Sequence, residues 1–117
     1  MATTHKTIVV KGKSKAEVVD TSRYFLQFAG FRTKELPNWM EASRGGFWMA
    51  PIRFVLRFSE PEPGIVHVDG EFYILAMYFI QQTVDNNAVN GCFPRRRGYE
   101  LMQQYIGAIG GNVVKEL

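Results

Sequence analysis

The sequence predicts an α+β fold in two layers, an antiparallel sheet covered on one face by two helices. Three observations carry this expectation. Apolar residues recur at helical spacing over Lys15–Ala29 and again over Tyr99–Ile109. Apolar and polar residues alternate over Phe47–Phe58 and Ile65–Leu75, so each segment has one face to bury and one to leave in water. The chain has 117 residues, 46% hydrophobic and 21% charged, which suits one compact domain with a single core.

The first element is a strand over Thr7–Lys11, with Ile8 and Val10 on one side and Thr7, Val9 and Lys11 on the other. Gly12 ends it. Ser14 is placed to cap the first helix, and Glu17, three residues on, completes a capping box. Val18, Val19, Ser22, Phe25, Leu26 and Ala29 form the buried stripe of this helix. Gly30 suits the left-handed residue that closes it, and Phe31 folds back on the last turn. A polar turn is expected around Pro37, then a candidate strand over Asn38–Ser43, reversed by Arg44-Gly45-Gly46.

In the strand over Phe47–Phe58, Trp48, Ala50, Ile52, Phe54, Leu56 and Phe58 share one face. Phe47, Met49, Pro51, Arg53, Val55 and Arg57 share the other. Pro51 has no N–H to donate, which places it at an edge or a bulge. Ser59–Gly64, with two prolines and a glycine, is expected to turn. Asp69-Gly70 is a hairpin signal, but a turn there would mix apolar and polar residues on both faces. An uninterrupted strand keeps Val66, Val68, Phe72 and Ile74 together, with His67, Asp69, Glu71 and Tyr73 opposite. Pairing Phe58 with Val66 then sets Arg57 opposite His67, Arg53 opposite Glu71, and the Phe54 ring over Gly70.

Residues 76–84 fit either a strand or a short helix, and 85–97 read as a loop with a turn at Asn90-Gly91. Leu101, Met102, Tyr105, Ile106 and Ile109 form the stripe of the second helix. Gly110-Gly111 stops it, and Asn112–Leu117 supplies a last strand. Without the 38–43 segment the order is β-α-β-β-α-β, the split arrangement found in ferredoxin-like domains. Such an order implies no activity.

The longest apolar run, Phe72–Ile80, is too short to cross a bilayer as a helix, and the N-terminus lacks the pattern of a signal peptide. A lone cysteine, Cys92, rules out an internal disulfide, so a cytoplasmic location is expected. The charge of +3 is unevenly spread. Residues 1–57 hold ten Lys/Arg against four Asp/Glu, residues 58–94 hold five acids and no Lys/Arg, and residues 95–117 hold four basics against two acids. Such alternation suits attraction between segments or a two-signed surface for self-association.

One polar row gathers the candidate site residues. His67 beside Asp69 resembles a general base with its orienting carboxylate. Arg53 and Arg57 on the adjoining strand make ordinary cross-strand pairing the stronger reading. The set Arg53, Arg57, His67, Asp69, Glu71 and Tyr73 is therefore assigned to an interface or a ligand-binding sheet face. No cofactor fingerprint and no metal-ligand spacing occurs: His5 falls in a terminus expected to fray, and His67 with its acids lacks a zinc pattern. Cys92, near three arginines, has no base partner in view.

Arg95, Arg96 and Arg97 stand at the start of the second helix, where positive charge opposes the helix dipole. They are a candidate anion site or a solvated charge run. Together with Arg53 and Arg57 they permit nucleic-acid binding, without any motif for it. Phe47, Met49, Val55 and Tyr73 would make an apolar patch on the open face. The leading expectation is a non-catalytic domain that binds a protein or small molecule and forms a homo-oligomer, a homodimer in the simplest case, through a sheet face or edge. A nucleic-acid-binding domain and a small enzyme are the alternatives.

Overall fold

The computed structural model describes residues 3–45, 51–76, 80–84 and 93–116. The elements are β1 (Thr4–Lys11), α1 (Lys15–Phe28), β2 (Arg32–Leu36), β3 (Trp39–Arg44), β4 (Ile52–Glu62), β5 (Ile65–Ala76), β6 (Ile80–Thr83), α2 (Phe93–Ala108) and β7 (Gly111–Glu116). The strands form one sheet in the order β2-β3-β4-β5-β1-β7, with β6 also on β5, and every pairing is antiparallel. The two helices pack on it, giving a mixed α+β architecture. Among the described residues no helix is long and apolar enough to cross a membrane.

Local sequence sets α1 at both ends. The Ser14 side chain accepts from the Glu17 N–H, and Glu17 accepts from the Ser14 N–H, so the expected capping box is present. At the other end Gly30 has φ +90° and donates to the Gln27 carbonyl, while Phe31 donates to the Leu26 carbonyl. This paired closure leaves Phe31 buried on the core.

The core lies between helices and sheet. Ile8, Val10, Met40, Ile52, Phe54, Leu56, Phe58, Val66, Val68, Phe72 and Ile74 face Val18, Leu26, Leu101, Met102, Tyr105 and Ile109. The inner and outer faces of the long strands are therefore those the alternation implied. Phe54 is central: its ring stands 4.7 Å from Phe72, 5.0 Å from Phe31 and 6.1 Å from Tyr105, centroid to centroid. Lys6 is also buried, in register with Gly70 and Glu116.

Several expectations need correction. Arg32–Leu36, where the sequence predicts no element, is the edge strand β2, paired to β3 across the turn expected around Pro37, where Asn38 takes φ 62°. It shows no apolar alternation because it lies at the sheet margin. It is fastened by Arg23 Nε donating to Glu35 (2.8 Å) and Gln27 Nε2 donating to Thr33 (3.0 Å). The turn expected over Ser59–Gly64 is confined to Pro63-Gly64, because β4 runs on to Glu62 through a bulge after Ser59. The β4–β5 register is consequently two residues from the expected one: Phe58 faces Val68, Arg57 faces Asp69 and Arg53 faces Tyr73. A two-residue slip keeps every side chain on its own face, so the alternation could not detect it. The continuous strand through Asp69-Gly70 is present. The ring that uses the space over Gly70 belongs to Phe72 and not to Phe54.

Residues 80–83 are strand, and β1 begins at Thr4, so His5 is paired and not frayed. Helix α2 starts at Phe93, six residues before the expected position. Pro94 costs nothing in a first turn, and Gly98 is there for packing: a Cβ would stand 2.6 Å from Val84 Cγ1. The first part of the strand expected at 47–58, including Phe47, Trp48 and Met49, lies outside the described residues. So do most of the 85–97 loop, its Asn90-Gly91 turn and Cys92.

One buried polar pair joins the helices. Ser22 Oγ lies 2.8 Å from the Val18 carbonyl oxygen and 2.7 Å from the Tyr105 hydroxyl. The single Ser22 proton goes to the carbonyl, so Tyr105 donates to Ser22. Burial pushes the Tyr105 phenol well above its ordinary value of 10.0, and the Ser22 hydroxyl, able to turn and donate to a phenolate, opposes this only in part. An unfolded chain loses that proton near pH 10 while the folded chain keeps it. The contribution is thus complete below pH 10 and falls as pH rises further, by about 1.4 kcal/mol per pH unit. Tyr105→Phe is expected to cost about 1 kcal/mol at pH 7 and to remove this alkaline slope, as read by urea unfolding at pH 8, 10 and 11.

Candidate binding face

The face of the sheet turned away from the helices carries most of the polar side chains of the central strands β4 and β5. Register assembles them into rows. One row runs Arg32, Ser43, Arg53, Tyr73, Thr83 across β2, β3, β4, β5 and β6. The next runs Lys34, Glu41, Val55, Glu71, His5 across β2, β3, β4, β5 and β1. The third is Leu36, Trp39, Arg57, Asp69, Thr7, and the last is Ser59, His67, Val9, Asn112. Neighbours in a row are about 5 Å apart, and rows are separated by about 7 Å.

Among the described residues, two depressions lie on this face. The first, of about 210 Å³, is lined by Arg32, Lys34, Glu41, Ser43, Arg53, Val55 and Tyr73 among others. The second, of about 280 Å³, is lined by His5, Thr7, Val55, Arg57, Asp69 and Glu71. In the second, Thr7 Oγ1 donates to Asp69 Oδ1 at 3.0 Å, and the Arg57 guanidinium stands 5.5 Å from the centre of the Trp39 ring. His5 Nδ1 and Trp39 Nε1 are buried with no hydrogen-bond partner among the described residues.

The structure thus brings Arg53, Arg57, Asp69 and Glu71 onto one face, as expected. Arg53 and Arg57 are exposed, and Asp69 and Glu71 are half-buried. Tyr73 shares the face but differs from expectation: it keeps only 8% of its surface in solvent, so it floors the first depression and is not a free anchor. His67 sits in the outermost row, opposite Ser59 and Val9. Asp69 takes its hydrogen bond from Thr7, and no hydrogen bond joins it to His67 among the described residues, so the pair lacks the link a general base needs from its orienting group. No three His, Cys, Asp or Glu side chains are grouped to hold a metal among the described residues.

The arginine run belongs to the first two turns of α2, and its members have separate tasks. Arg95 Nε donates to the Thr83 carbonyl at 2.8 Å and Nη2 to the Thr83 hydroxyl at 2.9 Å, fastening the helix to β6. Arg97 lies 3.8 Å from Glu100, and Arg96 is exposed. None of the three lines either depression on the sheet face.

Sequence reasoning missed Arg32, Lys34, Ser43, Glu41, His5 and Thr7. The available signal was the spacing of Arg32 and Lys34, which puts both on one side of any strand, facing Trp39–Ser43 across Pro37-Asn38. Comparison with protein-family models, with curated proteins and with solved structures finds no match for this chain.

Proposed function

We propose that this chain is a non-catalytic binding domain that self-associates by stacking the outer sheet faces of two copies. The observation that carries the reading is the division of charge across that face. The β2–β4 half holds Arg32, Lys34, Arg53 and Arg57 against Glu41, and the β5–β1 half holds Asp69 and Glu71 with a single lysine, Lys11, at the far end of β1. A two-fold axis parallel to the strands lays the basic half of one copy on the acidic half of the other, and the same contact is made twice. Val55 on β4 and Tyr73 on β5 lie at the boundary between the halves as the apolar centre.

Six strands about 4.8 Å apart and some eight residues long, at about 3.3 Å per residue, give a face of roughly 760 Å². This is close to the ~800 Å² per partner of a standard interface, and a contact made largely by exposed, screened charges points to a dimer of micromolar strength. The strand order β7-β1-β5-β4, with α1 and α2 as crossovers, supports a ferredoxin-like core extended by the β2–β3 hairpin. A cytoplasmic setting agrees with the single cysteine.

Sedimentation equilibrium between 5 and 500 µM tests the reading (concentrations on the order of the expected dissociation constant). The expected result is a dimer at low salt that weakens in 0.5 M salt, since partly exposed charge pairs are screened. Arg53→Glu with Arg57→Glu gives a monomer of unchanged far-UV spectrum. A monomer at every concentration, or a dimer indifferent to the double reversal, overturns it.

A further inference from the structure

We propose that the depression between β2 and β5 is a binding site for a phosphate monoester. Arg32 and Arg53 flank Ser43 in one row, two strand spacings or about 10 Å apart, and Lys34 stands about 7 Å along β2. Three long cationic side chains and one hydroxyl therefore border a space of about 210 Å³ that Val55 and Tyr73 floor. Glu41, opposite Lys34, is the one carboxylate lining it, so the site keeps two net positive charges. A monoester carries 1.5 to 2 negative charges at pH 7 and offers three oxygens, matching two arginine forks and the Ser43 hydroxyl.

The cations here are uncommitted. Among the described residues no ion pair or hydrogen bond engages the side chain of Arg32, Lys34 or Arg53, whereas Arg23 holds Asp20 and Glu35, and Arg97 holds Glu100. Two other depressions among the described residues hold cations that already have partners. Arg57 stands among Asp69 and Glu71 in one. In the cleft between α1 and the β2–β3 turn, Lys15 is bound to Asn38 and Glu35 is taken by Arg23.

The site lies on the face assigned to self-association but does not depend on a second copy, so it is tested on chain dilute enough to sediment as a monomer. Inorganic phosphate and phenyl phosphate are titrated at constant ionic strength, following the backbone amide resonances of Ser43, Arg53 and Val55. Saturable one-to-one binding of both is expected, weakened at least tenfold by Arg32→Ala and by Arg53→Ala and unchanged by Arg96→Ala. These side chains are exposed, so the variants fold. Dimethyl phosphate and acetate, each with one charge, bind at least tenfold more weakly. The proposal is overturned by the absence of saturation, by Arg32→Ala and Arg53→Ala variants that bind like the parent, or by dimethyl phosphate binding as well as phosphate. That last result would mark a site for a diester backbone.

Discussion

Replacing Phe54 by alanine is expected to remove about 3–5 kcal/mol of stability, a large part of the 5–15 kcal/mol typical of a whole domain. Phe54 is fully buried on β4, the strand between the β2–β3 hairpin and β5. Its ring meets Phe72 edge-on, tilts against Phe31 and reaches Tyr105, so it ties β5, the exit of α1 and the middle of α2 into one cluster. Truncation forfeits the transfer energy of the ring and leaves a cavity that three further aromatics cannot fill without losing their own contacts. Urea unfolding is the measurement. The midpoint falls in proportion to the lost stability, with the slope unchanged.

Gly70→Ala is expected to cost about 1–3 kcal/mol, although it adds a single methyl group. A Cβ there would stand 2.4 Å from Phe72 Cζ and 2.5 Å from Cε2, with Leu56 Cδ2 at 3.5 Å. Phe72 has no exposed surface and lies edge-on to Phe54, so its ring cannot turn aside without opening the core. The penalty is steric and not conformational. Gly70→Ala in a Phe72→Leu background should therefore lose less than the sum of the two single changes, a coupling that a double-mutant cycle reads directly.

Where physical signals were local, the sequence disclosed the architecture. The capping box at Ser14 and Glu17 and the Gly30-Phe31 closure bounded α1 within a residue. The alternation through Asp69-Gly70 outweighed the hairpin signal, because a turn there would have exposed apolar residues on both faces. Signals that depend on distant partners were hidden. Arg32–Leu36 has almost no apolar content, and only its position at the sheet margin makes it a strand. The β4–β5 register hinged on how far β4 ran before turning, which two prolines obscured.

The candidate face divides in the same way. Arg53, Arg57, Asp69 and Glu71 were legible from alternation within β4 and β5. Arg32, Lys34, His5 and Thr7 join them only through pairing across the sheet, between residues as far apart in sequence as His5 and Glu71. Charge along the chain, basic over residues 1–57 and acidic over residues 58–94, becomes charge across the face because β4 and β5 are adjacent.

The most direct measurement mixes two reversed chains. One carries Arg53→Glu and Arg57→Glu, the other Asp69→Lys and Glu71→Lys, so each face has nearly one sign. If two outer faces meet basic half on acidic half, each chain alone sediments as a monomer at low salt, and an equimolar mixture forms a heterodimer. A mixture that stays monomeric while the parent chain dimerises would contradict the account, as would either reversed chain dimerising alone as tightly as the parent.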